Sequence, residues 1–273
     1  MLASALFLHY IPNLSARRLI AVKRFIVKLS ATIITKNEEK NIKICLDSLR
    51  WVDEIVILDS GSADATVAIC RQYTDKVYET DWPGFGQQKN RALDRASGDW
   101  ILSLDADEWV TPRLKDEILK IIQNPGSYAA FDIPRLSSYC GQYIHHSGWR
   151  PDYVTRLCRR GKARFSEQIV HEKMIVDGKV GRLANSIMHT SYKDLEQVLN
   201  KLNRYSTDGA SLLHGEGKQS SLFKAISHGL WSFFYTYIVR AGFLDGRMGF
   251  ALAVYNAECT YYKYLILMIL NRN

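Results

Sequence analysis

From Ser30 onward, short apolar runs alternate with amphipathic stretches. Ala31 to Thr35 (ATIIT) is short and β-branched, which predicts a strand. Glu38 to Leu49 places Ile42, Leu46 and Leu49 at helical spacing. Glu54 to Leu58 (EIVIL) predicts a second strand, ending at Asp59. Gly61 breaks the chain, and Ala63 to Tyr73 reads as a helix. Lys76 to Tyr78 is a short strand, and Gln87 to Ala96 is a helix stopped by Gly98. Trp100 to Leu104 (WILSL) is a fourth strand, running straight into Asp-Ala-Asp-Glu.

Strand and helix in alternation predict a doubly wound α/β unit with a mostly parallel sheet flanked by helices. Ligands of such sheets bind beyond the carboxyl ends of the strands. Polar clusters fall there: Thr35 to Glu38, Asp59 to Asp64, and Asp105 to Glu108.

The middle of the chain is less regular. Ala129 to Arg135, Thr155 to Cys158 and Lys173 to Val176 read as strands. Asp194 to Leu213 reads as a helix, with Leu195, Val198, Leu202 and Tyr205 on one face. From Leu222 to Asn273 the composition shifts, and 12 of the 31 aromatics lie there. The longest uncharged run, Ala225 to Val239, is too short to span a bilayer, which takes about 20 residues. Aromatics at 231, 233, 234, 235 and 237, with Lys224, Arg240, Arg247 and Lys263, fit helices lying in a membrane interface. A helical pair packed on the core is the other reading. The expected division is an N-terminal extension (1–28), an α/β domain (29–215) and a C-terminal amphipathic helical region (216–273).

The extension mixes Arg17, Arg18, Lys23, Arg24 and Lys28 with apolar residues, and reads either as a membrane-surface segment or as an unstructured lead. Neither a spanning helix nor a secretory signal is expected from its short apolar stretch. The apolar fraction of 47% and charged fraction of 23% are those of a folded protein. A net charge of +8 suits an anionic partner: nucleic acid, an acidic bilayer or a phosphorylated substrate. The aromatics sit in apolar runs rather than among basic residues, which argues against a nucleic-acid stacking platform. Five scattered cysteines without a C-x-x-C pair argue against a disulfide framework and a zinc site, and fit a reducing compartment.

Asp105 and Asp107 carry the sharpest chemistry. Residues two apart in an extended chain point the same way. Two converging carboxylates suit Mg²⁺ or Mn²⁺, which leave coordination positions for phosphate. An acidic turn capping a helix near Pro112 is the plainer alternative. Asp59 can accept from a base or a ribose hydroxyl, while Ser62 and Asp64 suit helix capping. Lys89 and Asn90 lie on a helix face before the D-x-D strand, where a cation meets phosphate or stays solvated.

The stretch Ala31 to Glu108 resembles glycosyltransferase family 2, with its GT-A fold. TIITKNEE, DSGSAD, QQKNRAL and SGDWILSLDADE carry the likeness. The family usually has Arg-Asn where this chain has Lys89-Asn90, with the charge kept. The resemblance implies that Thr35, Glu38, Asp59 and Lys89 hold the nucleotide, Asp105 the ribose and metal region, and Asp107 the metal. TRLCRRGKARF, IVHEK, MHTSY and AGFLDGRMGFALA resemble a narrower branch, bacterial glucosyltransferases of the lipopolysaccharide inner core. That implies an inverting hexosyltransferase moving glucose from UDP-glucose to a heptose of a lipid-linked core. It implies a peripheral place on the cytoplasmic face of the inner membrane.

Inversion by single displacement needs one base for the acceptor hydroxyl. Glu172 is expected there, with Glu167 and Asp152 as rivals and a surface ion pair with Lys173 as the plain reading. His189 is a candidate for the metal shell, or structural. His171 orients its neighbour or packs. Arg156, Arg159 and Arg160 form either an acceptor-phosphate site or an exposed basic loop. A haloacid-dehalogenase phosphatase is disfavoured, because Trp109 stands at the fifth motif position and three strands precede the motif. A nucleotidyltransferase is disfavoured because TKNEEKN is not a glycine-rich loop.

Overall fold

A computed structural model describes residues 27–166 and 172–272. The expectations for residues 1–26, Glu167 and His171 lie outside the described residues. The chain opens with β1 (Leu29–Thr35), α1 (Ile42–Asp47), β2 (Glu54–Asp59), α2 (Thr66–Cys70), β3 (Val77–Glu79), α3 (Phe85–Arg95) and β4 (Trp100–Asp105). It continues through β5 (Glu108–Val110), α4 (Pro112–Gln123), β6 (Tyr128–Tyr139), β7 (Gln142–Tyr143), β8 (Tyr153–Arg159), β9 (Ala163–Phe165) and β10 (Met174–Val176). Next come β11 (Lys179–Arg182), β12 (Ile187–Tyr192), α5 (Leu195–Gly215) and α6 (Leu222–Phe234). A π turn (Tyr235–Val239) and a 3₁₀ turn (Gly242–Asp245) lead into α7 (Gly246–Leu270).

The main sheet has 10 strands, ordered β3-β2-β1-β4-β8-β6-β12-β5, with β7 and β11 also on β6. β3, β2, β1 and β4 run parallel. The sheet reverses at β8 and again at β6. β12 runs parallel to β6, and β5 lies antiparallel on β12. Register then sets the rim: Thr35 pairs with Asp59, and Ile34 with Asp105.

β1 is buried throughout, as a strand covered on both faces should be. Ile33, Leu102, Leu104 and Phe131 meet Leu46 and Leu49 from the α1 side, and Leu114, Ile118 and Ile122 from α4. α4 begins with Thr111 accepting from the Leu114 amide and Pro112 just inside the first turn. The acidic pair at 105 and 107 therefore does not cap it.

Two helices are shorter than their apolar spacing predicts. Asn37 takes a positive φ of 55°, and a turn closed on the Glu38 carbonyl precedes α1. Asp64 accepts from the Thr66 amide, delaying α2. β6 runs on past Arg135 to Tyr139, and pairing adds the short strands β9, β11 and β12.

α5 and α7 pack together through Val198, Leu202, Leu252 and Tyr255, against Tyr139 and Tyr192 of the sheet. α6 packs on α7. Its outer face leaves Phe223, Leu230 and Trp231 exposed. Among the described residues, no helix is long and apolar enough to cross a membrane.

Candidate active site

β4 delivers Asp105 to the rim, and Glu108 closes the turn after it. The Asp105 amide donates to Glu108 Oε2 at 3.1 Å. Glu108 is 0% exposed and accepts from Arg156 Nη2 at 2.8 Å and Arg135 Nη1 at 3.4 Å. Arg156 comes from β8, the antiparallel neighbour of β4, and also grips Asp105 Oδ2. On the other carboxylate oxygen, Lys89 Nζ of α3 stands at 2.8 Å. The same ammonium reaches Glu172 Oε1 at 2.9 Å. At the far end, Arg135 Nε donates to Asp152 at 2.8 Å. Opposite charges thus alternate from Asp152 through Arg135, Glu108, Arg156, Asp105 and Lys89 to Glu172.

That alternation lets charges be buried, since each is paired and hydrogen-bonded. Burial alone lifts the Asp105 carboxyl, but Arg156 and Lys89 beside it hold it well below the usual carboxylate range. Burial disfavours the Arg156 cation, and Asp105 with Glu108 more than restores it.

Asp107 lies outside this chain of ion pairs. Its Oδ2 is 3.4 Å from His189 Nε2. β5 pairs with β12 so that Glu108 faces His189, and the Asp107 carbonyl accepts from the Thr190 amide at 3.0 Å. His189 Nδ1 is 2.8 Å from Ser137 Oγ, which fixes the ring. A carboxylate and an imidazole oriented in this way fit a divalent cation that takes its other ligands from phosphate and water. Among the described residues, no group of three His, Cys, Asp or Glu side chains converges as a complete cage.

These side chains wall one cavity of about 380 Å³. Thr35, Glu38, Lys89, Asp105, Asp107, Glu172 and His189 all line it, with Trp82 and Phe85 completing the wall. The last two meet edge to face with ring centroids 4.7 Å apart. Burial raises the Glu38 carboxyl; the Asn41 amide opposes this, and the charge of Asp107 adds to it.

Other candidates lie away from the cavity wall. Asp59 does not line the cavity. Its Oδ1 accepts from the Gly61 and Ser62 amides at 3.0 and 2.8 Å, and its Oδ2 from Thr35 Oγ1 at 2.9 Å and from Ser62 Oγ. It ties the turn after β2 to Thr35, so it shapes the site from behind. Arg156 is buried rather than in an exposed loop, and its Nη2 is shared by Asp105 and Glu108. Arg159 and Arg160 lie at the opposite rim, because β8 runs against β4 and sets Arg159 opposite Trp100. There Arg159 donates to the Tyr128 carbonyl and Arg160 to the Gly98 carbonyl. Glu172 pairs with Lys89. Glu108, Arg135, Trp82 and Phe85 join the site with little sequence signal of their own, apart from the aromatic Trp-Pro-Gly-Phe that leads into α3.

The profile of glycosyl transferase family 2 matches residues 30–175. The chain belongs to glycosyltransferase family 2. Family members similar over most of their length include an uncharacterized glycosyltransferase of Rickettsia felis, 34% identical over 82% of this chain and 83% of that protein. The lipopolysaccharide core biosynthesis glycosyltransferase LpsC of Rhizobium meliloti is 30% identical over 87% of this chain and 93% of LpsC. Among solved structures, S. aureus TarS 1-349 in complex with UDP aligns with a TM-score of 0.47 at 18% identity, covering 90% of this chain and 91% of that one. The protein is thus a nucleotide-sugar-dependent glycosyltransferase, and its parallel-rich sheet bears the acidic motif at the end of β4.

Proposed function

We propose that this family 2 enzyme transfers glucose from UDP-glucose, with inversion, to a heptose of a lipid-anchored lipopolysaccharide core. One observation carries the reading: a single cavity gathers Thr35, Glu38, Lys89, Asp105, Asp107, Glu172 and His189. The extent of the likeness to LpsC supports the acceptor class.

In this reading the nucleotide lies along Thr35 and Glu38, with Trp82 and Phe85 as apolar surface. Asp107 and His189 hold Mg²⁺ or Mn²⁺, which supplies charge neutralisation for the diphosphate. Asp105, kept anionic by its two cations, accepts from sugar or ribose hydroxyls. Glu172 takes the proton of the acceptor hydroxyl as its oxygen bonds to the anomeric carbon. The bond from that carbon to the diphosphate oxygen breaks, and its electron pair leaves with UDP. Lys89 holds Glu172 beside Asp105 until substrate arrives.

The acceptor is lipid-linked, so the enzyme works at the cytoplasmic face of the inner membrane. A net charge of +8 and the exposed Phe223, Leu230 and Trp231 of α6, with Lys224 on the same helix, support an anionic bilayer as partner. A donor screen tests the reading. Each UDP- and GDP-sugar is incubated with Mn²⁺ and heptose-terminated lipopolysaccharide, and nucleotide release is followed. Acceptor-dependent release from UDP-glucose alone is the expected result; release from a different donor refutes the sugar assignment.

A further inference from the structure

The glycosyltransferase reading leaves the acceptor's place open, and a second cavity next to the first fits it. This cavity, about 340 Å³, shares His189 with the donor cavity. Its wall includes Trp149, Asp152, Ser191 and Tyr192. A third hollow shares Arg135 and Asp152 with it, and Lys89, Asp105 and Glu172 with the donor cavity. The three hollows therefore adjoin one another, through shared walls, from Trp149 to Glu172.

Trp149 is half-buried and stacks on Tyr192 at 5.9 Å and 29°, with Tyr139 edge-on at 6.1 Å. An indole fixed by two rings offers an apolar face suited to the C–H side of a pyranose. Asp152 is partly exposed and has acceptor capacity beyond its pair with Arg135.

The loop carrying Trp149 is held from the far end of the chain. Asp245 accepts from the His145 amide at 2.9 Å, the His146 amide at 3.0 Å and Ser147 Oγ at 2.8 Å. Its side chain stands at the N-cap of α7 yet does not cap its own helix. The Ser147 amide adds a bond to the Arg240 carbonyl at 2.9 Å. The knot behind Asp245 closes only with glycine: a Cβ on Gly249 would come within 1.9 Å of the Gly242 carbonyl oxygen.

We propose that this second cavity binds a pyranose of the saccharide acceptor, with Trp149 as its stacking face and Asp152 as a hydroxyl ligand, and that Asp245 is the positioning residue that holds the loop in place. The C-terminal helices then shape the acceptor site as well as facing the bilayer.

Steady-state transfer from UDP-glucose to a deacylated, heptose-terminated core saccharide tests this in the full chain. Trp149→Ala should raise the acceptor KM about tenfold. UDP affinity measured by calorimetry with Mn²⁺ should change less than about twofold. Trp149→Phe should restore the acceptor KM to within about threefold of the parent. Asp245→Asn should raise the acceptor KM while UDP affinity holds. Transfer with an unchanged acceptor KM in Trp149→Ala, or a parallel loss of UDP affinity, overturns the acceptor pocket and leaves the glycosyltransferase reading standing. A parent enzyme that neither transfers to this saccharide nor binds it overturns both.

Discussion

Lys89 Nζ lies 2.8 Å from Asp105 Oδ1, and the lysine side chain is only 5% exposed. A buried ammonium on the D-x-D motif divides its two acids. Asp105 belongs to a fixed ion-pair chain, while Asp107 is left to work with His189. In the proposed reading the first acid of the motif is a charge-set scaffold and hydroxyl acceptor, and the second is the metal ligand.

Breaking that chain should be costly. Arg156→Ala leaves Glu108 and Asp105 short of a partner in a buried setting, which typically costs about 3–5 kcal/mol. Urea denaturation should show a large drop in midpoint. A loss under about 1 kcal/mol would mean that solvent reaches the pair.

Glu172→Gln keeps the shape of the cavity but removes the proposed base. UDP affinity should persist, and transfer should fall by about 10²-fold or more. Single-turnover assays with saturating donor check this. An unchanged rate would move the base to another carboxylate, with Asp152 the first to examine.

Glu38 gives a pH signature. Its carboxyl is raised in the fold, so the folded state holds the proton more tightly than the unfolded chain does. Its stabilising contribution is full below about pH 4, the unfolded range, and is lost as pH rises through the raised value. Glu38→Gln should therefore melt higher than the parent at pH 7 and equal it below about pH 4. Thermal melts at both pH values decide. The same variant should bind UDP more weakly.

Thiol labelling reports the core. Burial pushes Cys70 and Cys158 up to about 12, and Cys45 well above its usual value. At pH 8 only the half-buried Cys140 and Cys259 should react, with all five reacting in denaturant. Rapid labelling of Cys45 in the native protein would contradict the packing of α1 under Asp105.

The rim of the sheet was legible because its cause is local. A buried apolar strand ending in Asp-Ala-Asp leaves its carboxylates nowhere to go but the strand end, and β1 and β2 read in the same way. Thr35, Glu38, Lys89, Asp105, Asp107, Glu172 and His189 do meet at one cavity. What stayed hidden depends on pairing between distant strands. Arg156, Arg159 and Arg160 look alike in TRLCRRG, yet the antiparallel register of β8 on β4 sends one to Asp105 and the others to the opposite rim. Glu108 looked like the tail of a motif until Arg135 of β6 and Arg156 of β8 closed on it. Trp82 sits in the loop before α3 and Phe85 is the first residue of that helix, so neither carries a periodic signal. Asp245 lies about a hundred residues from the loop it holds.

The central claim is that Asp107 and His189 hold the metal end of the donor. Calorimetric titration of UDP, with and without Mn²⁺, tests it most directly in the parent and in Asp107→Ala. Mn²⁺ should tighten UDP binding to the parent by about tenfold or more and leave the variant's affinity unmoved. An Asp107→Ala protein that responds to Mn²⁺ as the parent does would contradict the account.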